Sequence, residues 1–142
     1  MPSCIALIVA AGRGSRFGGP LPKQYAVVGG KTVLRHTLDA LAACPGIGEM
    51  RVVIAAGDEN LYEAATEGLT LPASVQGGVS RQQSVLNGLE ALANQAPDFV
   101  AIHDAARPFV ARAQVDACLA AAAQSGIDGA VLGIPLADTL KR

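Results

Sequence analysis

Between Ala10 and Gln24 the chain reads Ala10-Ala11-Gly12-Arg13-Gly14-Ser15-Arg16-Phe17-Gly18-Gly19-Pro20-Leu21-Pro22-Lys23-Gln24. A stretch of this kind suits a polyphosphate. Glycine lets the backbone turn tightly and present its N–H groups to phosphate oxygens. Arg16 and Lys23 add cations that neutralise such a ligand. Two common nucleotide loops do not fit. The P-loop needs Gly-Lys-Ser/Thr, which the chain lacks. The dinucleotide fingerprint GxGxxG begins correctly with Gly12 and Gly14 but meets Phe17 at its third glycine. The carboxylate expected about 20 residues further on is replaced by Gly30-Lys31-Thr32.

A second group is Gly77-Gly78-Val79-Ser80-Arg81-Gln82-Gln83-Ser84-Val85. The glycine pair allows close backbone approach, and a helix starting after Ser80 offers free N–H groups. Arg81 and Ser84, three apart, share one face of its first turn. A third group is His103-Asp104-Ala105-Ala106-Arg107-Pro108. A carboxylate at a strand end is placed to hold Mg²⁺, which takes carboxylate, water and phosphate oxygens. Arg107 offers a site for a second anion. His103 reads as a hydrogen-bonded structural residue rather than a base.

These groups need elements to carry them. The chain has 142 residues, of which 51% are hydrophobic and 16% charged, so it is neither disordered nor too short for a core. A net charge of −1 gives no basic field for nucleic acid or an anionic membrane. Cys4, Cys44 and Cys118 form no CxxC pair, which argues against a disulfide framework or a thiolate zinc site and suits a reducing, cytoplasmic setting. No apolar run is long enough to span a bilayer, and Met1–Cys4 has no basic n-region of a signal peptide.

Cys4–Ala10 is a continuous apolar run, as in a strand buried on both faces. Thr32 is placed to cap a helix over Val33–Cys44, stopped by Pro45-Gly46. Met50–Ala56 reads as a strand, and Asp58 as the cap of a helix over Glu59–Glu67. Ser74–Gln76 reads as a short strand. Ser80 would cap a helix over Arg81–Gln95 with an apolar set of Val85, Leu86, Leu89, Leu92 and Ala93. Phe99–Ile102 forms a strand running into His103-Asp104, Gln114–Gln124 a helix, and Gly129–Ile134 a last strand. Alternation of this kind predicts an α/β fold with a mostly parallel, Rossmann-like sheet between helical layers, a three-layer α/β/α sandwich. Ligands of such sheets bind at the carboxyl ends of the strands, where all three polar groups fall.

The first group, from Leu7 through Arg16 and on to Leu21-Pro22-Lys23-Gln24-Tyr25, resembles the signature of nucleotidyltransferases that activate sugar or polyol phosphates. Its Pro-Lys-Gln-Tyr ending is similar to that of the 2-C-methyl-D-erythritol 4-phosphate cytidylyltransferase family. Gly77–Val85 is similar to that family's GG-x-x-R-x-x-S-V, and the His-Asp-Ala-Ala-Arg-Pro motif matches completely. Asp138-Thr139-Leu140-Lys141 is similar to its Asp-Thr-[Met/Leu/Ile]-Lys. Where the family often carries an acid the chain has Val79-Ser80, which leaves a backbone contact there.

The resemblance implies a nucleotide-diphospho-sugar transferase fold and transfer of the cytidylyl group of CTP to 2-C-methyl-D-erythritol 4-phosphate. Arg16 and Lys23 would be catalytic. Ala10, Ala11, Gly12, Gly14, Gly78, Arg81, Ser84 and Ala105 would bind nucleotide. Asp104 would hold Mg²⁺, and Arg107 and Thr139 would meet the polyol phosphate, Thr139 across a homodimer interface. The cysteines would be core or bystander residues. Residues 1–142 are expected to be a single nucleotidyltransferase domain ending before the family's dimerisation arm and second half. Ribitol 5-phosphate cytidylyltransferase and a nucleotide-binding module without turnover are the alternatives.

Overall fold

The computed structural model describes residues 3–13 and 18–135. Gly14, Arg16 and Thr139 therefore lie outside the described residues.

β1 (Cys4–Ala10) is the central strand, and all of its residues except Val9 are buried. On one side it pairs in parallel with β4 (Glu49–Ile54), from Ile5 opposite Glu49 to Ala10 opposite Ile54. On the other it pairs in parallel with β6 (Phe99–Asp104), from Cys4 opposite Phe99 to Val9 opposite Asp104. β5 (Val75–Gln76) adds to the far side of β4, giving the order β5-β4-β1-β6. With Ala10 beside Ile54, Ile54 beside Gln76 and Val9 beside Asp104, the register delivers the segments after all four strands to one end of the sheet.

The two-residue period of β1 sends its side chains to opposite faces. Ala6, Ile8 and Ala10 share one core with Leu34, Leu38 and Leu41 of α1 (Val33–Ala42), Tyr62 and Ala65 of α2 (Glu59–Ala65) and Val115 of α4 (Arg112–Ala122). Ile5 and Leu7 share a smaller core with Val53 and with Leu92 of α3 (Arg81–Leu92). The result is the expected α/β architecture, a parallel sheet with helices on both faces. A two-strand hairpin, β2 (Val27–Val28) and β3 (Lys31–Thr32), precedes α1. Its turn residues Gly29 and Gly30 have φ of 57° and 83°, the left-handed pair that matches strand twist in a two-residue hairpin.

Two expected caps are present: the Thr32 side chain accepts the Arg35 N–H at 3.1 Å, and that of Ser80 accepts the Gln83 N–H at 3.0 Å. Asp58 precedes α2 but makes no side-chain cap bond, because its carboxylate is buried and engages Arg13. Strand and helix limits otherwise move by a few residues from those expected, as at β4, α2, α3 and α4.

Two readings fail. Gly129–Ile134 is not a strand; its residues are exposed and pair with no strand among the described residues, so β6 remains an edge. The buried face of α3 is Ser84, Gly88 and Leu92, whereas Leu86, Leu89 and Ala93 are exposed. Gly88 explains this rotation. A Cβ placed there would lie 2.6 Å from a Leu7 methyl and 3.0 Å from Val53, so the helix approaches the sheet on its smallest residue. Leucine periodicity ranks faces by hydrophobicity, but the sheet here selected the face that allows close approach. Among the described residues, no helix is long and apolar enough to cross a membrane.

Candidate active site

The segments leaving β1, β4, β5 and β6 enclose a cleft of about 1250 Å³. Ala10, Ala11, Gly12, Lys23, Gly78, Arg81, Ser84, Asp104, Ala105 and Arg107 all line it. Thus every described candidate residue is brought to one place, although these residues are spread from position 10 to position 107.

On the β1 side, the chain leaves the strand at Ala10 and returns through the 3₁₀ turn Lys23–Tyr25. Lys23 is exposed and makes no ion pair among the described residues, so its ammonium is available to a ligand. Gln24 beside it is 2% exposed. Its Nε2 donates to the carbonyl oxygens of Ala10 at 2.6 Å and Gly12 at 3.0 Å. Arg13 fastens the same segment sideways, donating to the Asp58 carboxylate at 3.1 Å and the Ala56 carbonyl at 2.9 Å. Tyr25 is buried beneath. Burial first, and then the charge of Asp58, pushes its phenol well above the ordinary range. Neither Gln24 nor the Arg13–Asp58 pair was among the candidate residues. The only sequence signal for Gln24 was its place between Lys23 and Tyr25.

On the α3 side, the Gly77-Gly78 turn is built around Ser84. The Ser84 hydroxyl donates to the Ser80 carbonyl at 2.9 Å and accepts the Gly78 N–H at 3.1 Å. A base entering the cleft would therefore meet only its remaining lone pair. Any Cβ at Gly77 would collide with the Ala11 methyl and lie 2.9 Å from Ser84 Oγ, so glycine brings the two loops into contact. Val79 is fully exposed at the rim.

On the β6 side, Asp104 sits between two guanidinium groups. Arg81 donates through Nε at 3.0 Å and a terminal nitrogen at 2.9 Å to one carboxylate oxygen, and Arg107 Nε donates at 2.9 Å to the other. Burial pushes the Asp104 carboxyl up, but the hydrogen bonds and charges of Arg81 and then Arg107 outweigh it and hold the group below its ordinary range. The Ala105 N–H donates to the Val9 carbonyl at 3.0 Å, and its carbonyl accepts from Thr37 Oγ1 at 2.7 Å. Ala105 is thus fixed as a wall whose polar groups are already used. His103 donates from Nε2 to the Arg107 carbonyl at 2.9 Å, in keeping with a structural part.

For a divalent cation, Asp104 is a hard, ionised oxygen donor facing the cleft. No group of three His, Cys, Asp or Glu residues stands together among the described residues. The fit is therefore to a cation such as Mg²⁺, which takes one or two carboxylates and completes its shell with phosphate and water. Burial pushes the Cys4 and Cys44 thiols up and away from nucleophilic thiolate chemistry.

The family model described as 2-C-methyl-D-erythritol 4-phosphate cytidylyltransferase matches residues 4–142. The chain belongs to this cytidylyltransferase family. A bifunctional IspD/IspF enzyme of Rhodospirillum rubrum is 52% identical over all of this chain, which covers 37% of that relative. A 2-C-methyl-D-erythritol 4-phosphate cytidylyltransferase of Xanthomonas euvesicatoria is 47% identical over 96% of this chain and 52% of its own length. Among solved structures, a 4-diphosphocytidyl-2C-methyl-D-erythritol synthase superposes with a TM-score of 0.76 at 30% identity, covering all of this chain and 64% of that one. The chain thus spans little more than a third of its bifunctional relatives and about half of the shorter cytidylyltransferase.

Proposed function

We propose that this chain carries the nucleotide side of a cytidylyltransferase that joins CTP to 2-C-methyl-D-erythritol 4-phosphate. A phosphate oxygen of the polyol phosphate attacks the α-phosphorus of CTP. Pyrophosphate leaves, and 4-diphosphocytidyl-2-C-methyl-D-erythritol forms. The observation that carries this reading is the convergence of the three family motifs on one cleft at the carboxyl ends of the strands.

Such transfers need little covalent help from the protein; positioning and charge stabilisation do most of the work. Lys23, with Arg16, neutralises charge growing on the phosphate oxygens, and loss of either donor would raise the barrier by about 3–4 kcal/mol. Ala10, Ala11, Gly12 and Gly14 present backbone to the nucleotide, while Gly78, Arg81, Ser84 and Ala105 form its other wall. Arg107 and Thr139 receive the polyol phosphate. Asp104 is the residue that would hold Mg²⁺, which supplies charge neutralisation at phosphate oxygens when bound. Arg81 and Arg107 take three of the roughly four lone-pair positions of that carboxylate, so one stays open to a cation even with both guanidinium groups in place. We take residues 1–142 as a single nucleotidyltransferase domain of an enzyme that works in the cytoplasm as a homodimer.

Calorimetric titration with CTP and Mg²⁺, against ATP and GTP, tests the nucleotide half. Selective CTP binding that weakens in Asp104→Ala is expected. Equal binding of all three nucleotides, or none by the folded chain, would overturn it. Pyrophosphate release on adding the polyol phosphate tests turnover.

A further inference from the structure

The geometry points to Gln24 as the positioning residue of the nucleotide loop: one side-chain amide sets two peptide planes so that their N–H groups face the ligand. This rests on the reading of the cleft as a nucleotide site.

Within a planar trans peptide, the carbonyl of one residue and the N–H of the next point in opposite directions. Fixing the Ala10 carbonyl therefore fixes the Ala11 N–H, and fixing the Gly12 carbonyl fixes the Arg13 N–H. Gln24 Nε2 holds both carbonyls, at 2.6 and 3.0 Å, from a buried position. The N–H groups of Ala11 and Arg13 are thereby turned away from Gln24. All three residues line the cleft, but Gln24 is buried whereas Ala11 is half-buried and Arg13 exposed, so the cleft opens on the side of Ala11 and Arg13. Neither N–H donates to any acceptor among the described residues, so both remain open to phosphate oxygens. The same bonds occupy two carbonyl oxygens that would otherwise repel an anion.

A primary amide is the group suited to this task. It carries two donor hydrogens on one nitrogen, whereas a carboxylate offers none and a hydroxyl offers one. Both donors of Gln24 are used, and the residue is held by its neighbours. The Tyr25 N–H donates to the Pro22 carbonyl at 2.9 Å, closing the turn that aims Gln24 inward. Gln24 touches no reacting atom in this reading; it acts through the backbone of Ala10–Arg13.

The test compares the native chain with Gln24→Met, Gln24→Glu and Cys44→Ala. Cys44 is buried but lines no part of the cleft, so its variant measures plain destabilisation. Backbone ¹⁵N relaxation reads the order of Ala11 through Arg13 without nucleotide, and calorimetry reads CTP affinity with Mg²⁺. In both Gln24 variants the order parameters are expected to fall from about 0.85 to below about 0.6, with no such fall in Cys44→Ala. The CTP dissociation constant should rise about tenfold or more in Gln24→Met, equivalent to about 1.4 kcal/mol, and further in Gln24→Glu, whose carboxylate faces two carbonyl oxygens. Unchanged order at Ala11 through Arg13, or native CTP affinity in both variants, would overturn the assignment. If the native chain binds no CTP, the reading of the cleft fails, while the order parameters still decide whether Gln24 sets the two planes. If neither Gln24 variant folds, the native chain decides: slow hydrogen exchange of the Gln24 side-chain amide is expected, and rapid exchange of both its protons would count against the assignment.

Discussion

Along β1 the cleft wall is fastened by buried, mostly neutral bonds: Gln24 to the Ala10 and Gly12 carbonyls, with Tyr25 packed beneath and glycine at position 77 touching Ala11. Along β6 and α3 the opposite wall is tied by charge, with Arg81 and Arg107 sharing Asp104 and both arginine side chains more than half exposed. The two ties differ in how readily they exchange. A buried donor that loses its partner costs about 1–3 kcal/mol, so the β1 wall stays as folded. An exposed ion pair is worth about 0–1 kcal/mol, so an anion or a cation can replace either partner at little cost. A site of this build holds one side of its ligand in a preset mould and lets the other side rearrange.

Gly77→Ala strikes the rigid wall hardest. Its methyl must displace Ala11 or Ser84, and overpacking of that kind costs about 1–3 kcal/mol, with loss of nucleotide affinity. Denaturant melts read the first effect and calorimetry the second. A variant as stable and as avid as the native chain would show that the β1 wall yields.

High pH should also act on the rigid wall. The chain has two tyrosines, and burial raises the phenols of both Tyr25 and Tyr62. A group with a raised folded value contributes stability that is intact below the unfolded value, about 10 for a phenol, and is lost as pH rises through the folded value. Phenolate absorbance should therefore lag behind that of free tyrosine and appear together with unfolding. Titration of Tyr25 near pH 10 in the folded chain would contradict the tight packing of this wall, and titration of Tyr62 there would contradict the packing of α2 on the same core.

Asp104→Asn should have the smallest effect on stability, below about 1 kcal/mol, because it loosens only exposed pairs. Its effect on metal-dependent CTP binding should be much larger. Added salt should weaken the Asp104 pairs in the native chain while leaving the Gln24 bonds in place. A stability loss comparable to that of Gly77→Ala would erase the contrast between the walls.

Much of this could be read from residue order. The apolar run Cys4–Ala10 gave a central parallel strand, Thr32 and Ser80 gave two helix starts, and three polar segments after strands gave a shared cleft. What escaped was set by pairs distant in sequence or by shape. Asp58 looks like a cap until Arg13, far earlier in the chain, takes its carboxylate. Gln24 looks like a polar loop residue until the carbonyls of Ala10 and Gly12 reach it. Gly88 turns α3 by what it lacks, which a hydrophobic pattern does not record. The Gly129–Ile134 run has strand composition, but a strand exists only with a partner.

The central place of β1 also sets an order of events during synthesis. Cys4–Ala10 leaves the ribosome before either neighbour, gains its first partner with Glu49–Ile54, and has its other edge open until Phe99–Asp104 emerges. At about 5–20 residues per second that edge waits on the order of several seconds. During this interval an uncharged apolar segment is free to pair with other chains. Holdase chaperones or slower, cooler expression should therefore raise the yield of soluble protein by acting on a strand that, once folded, is the most buried among the described residues.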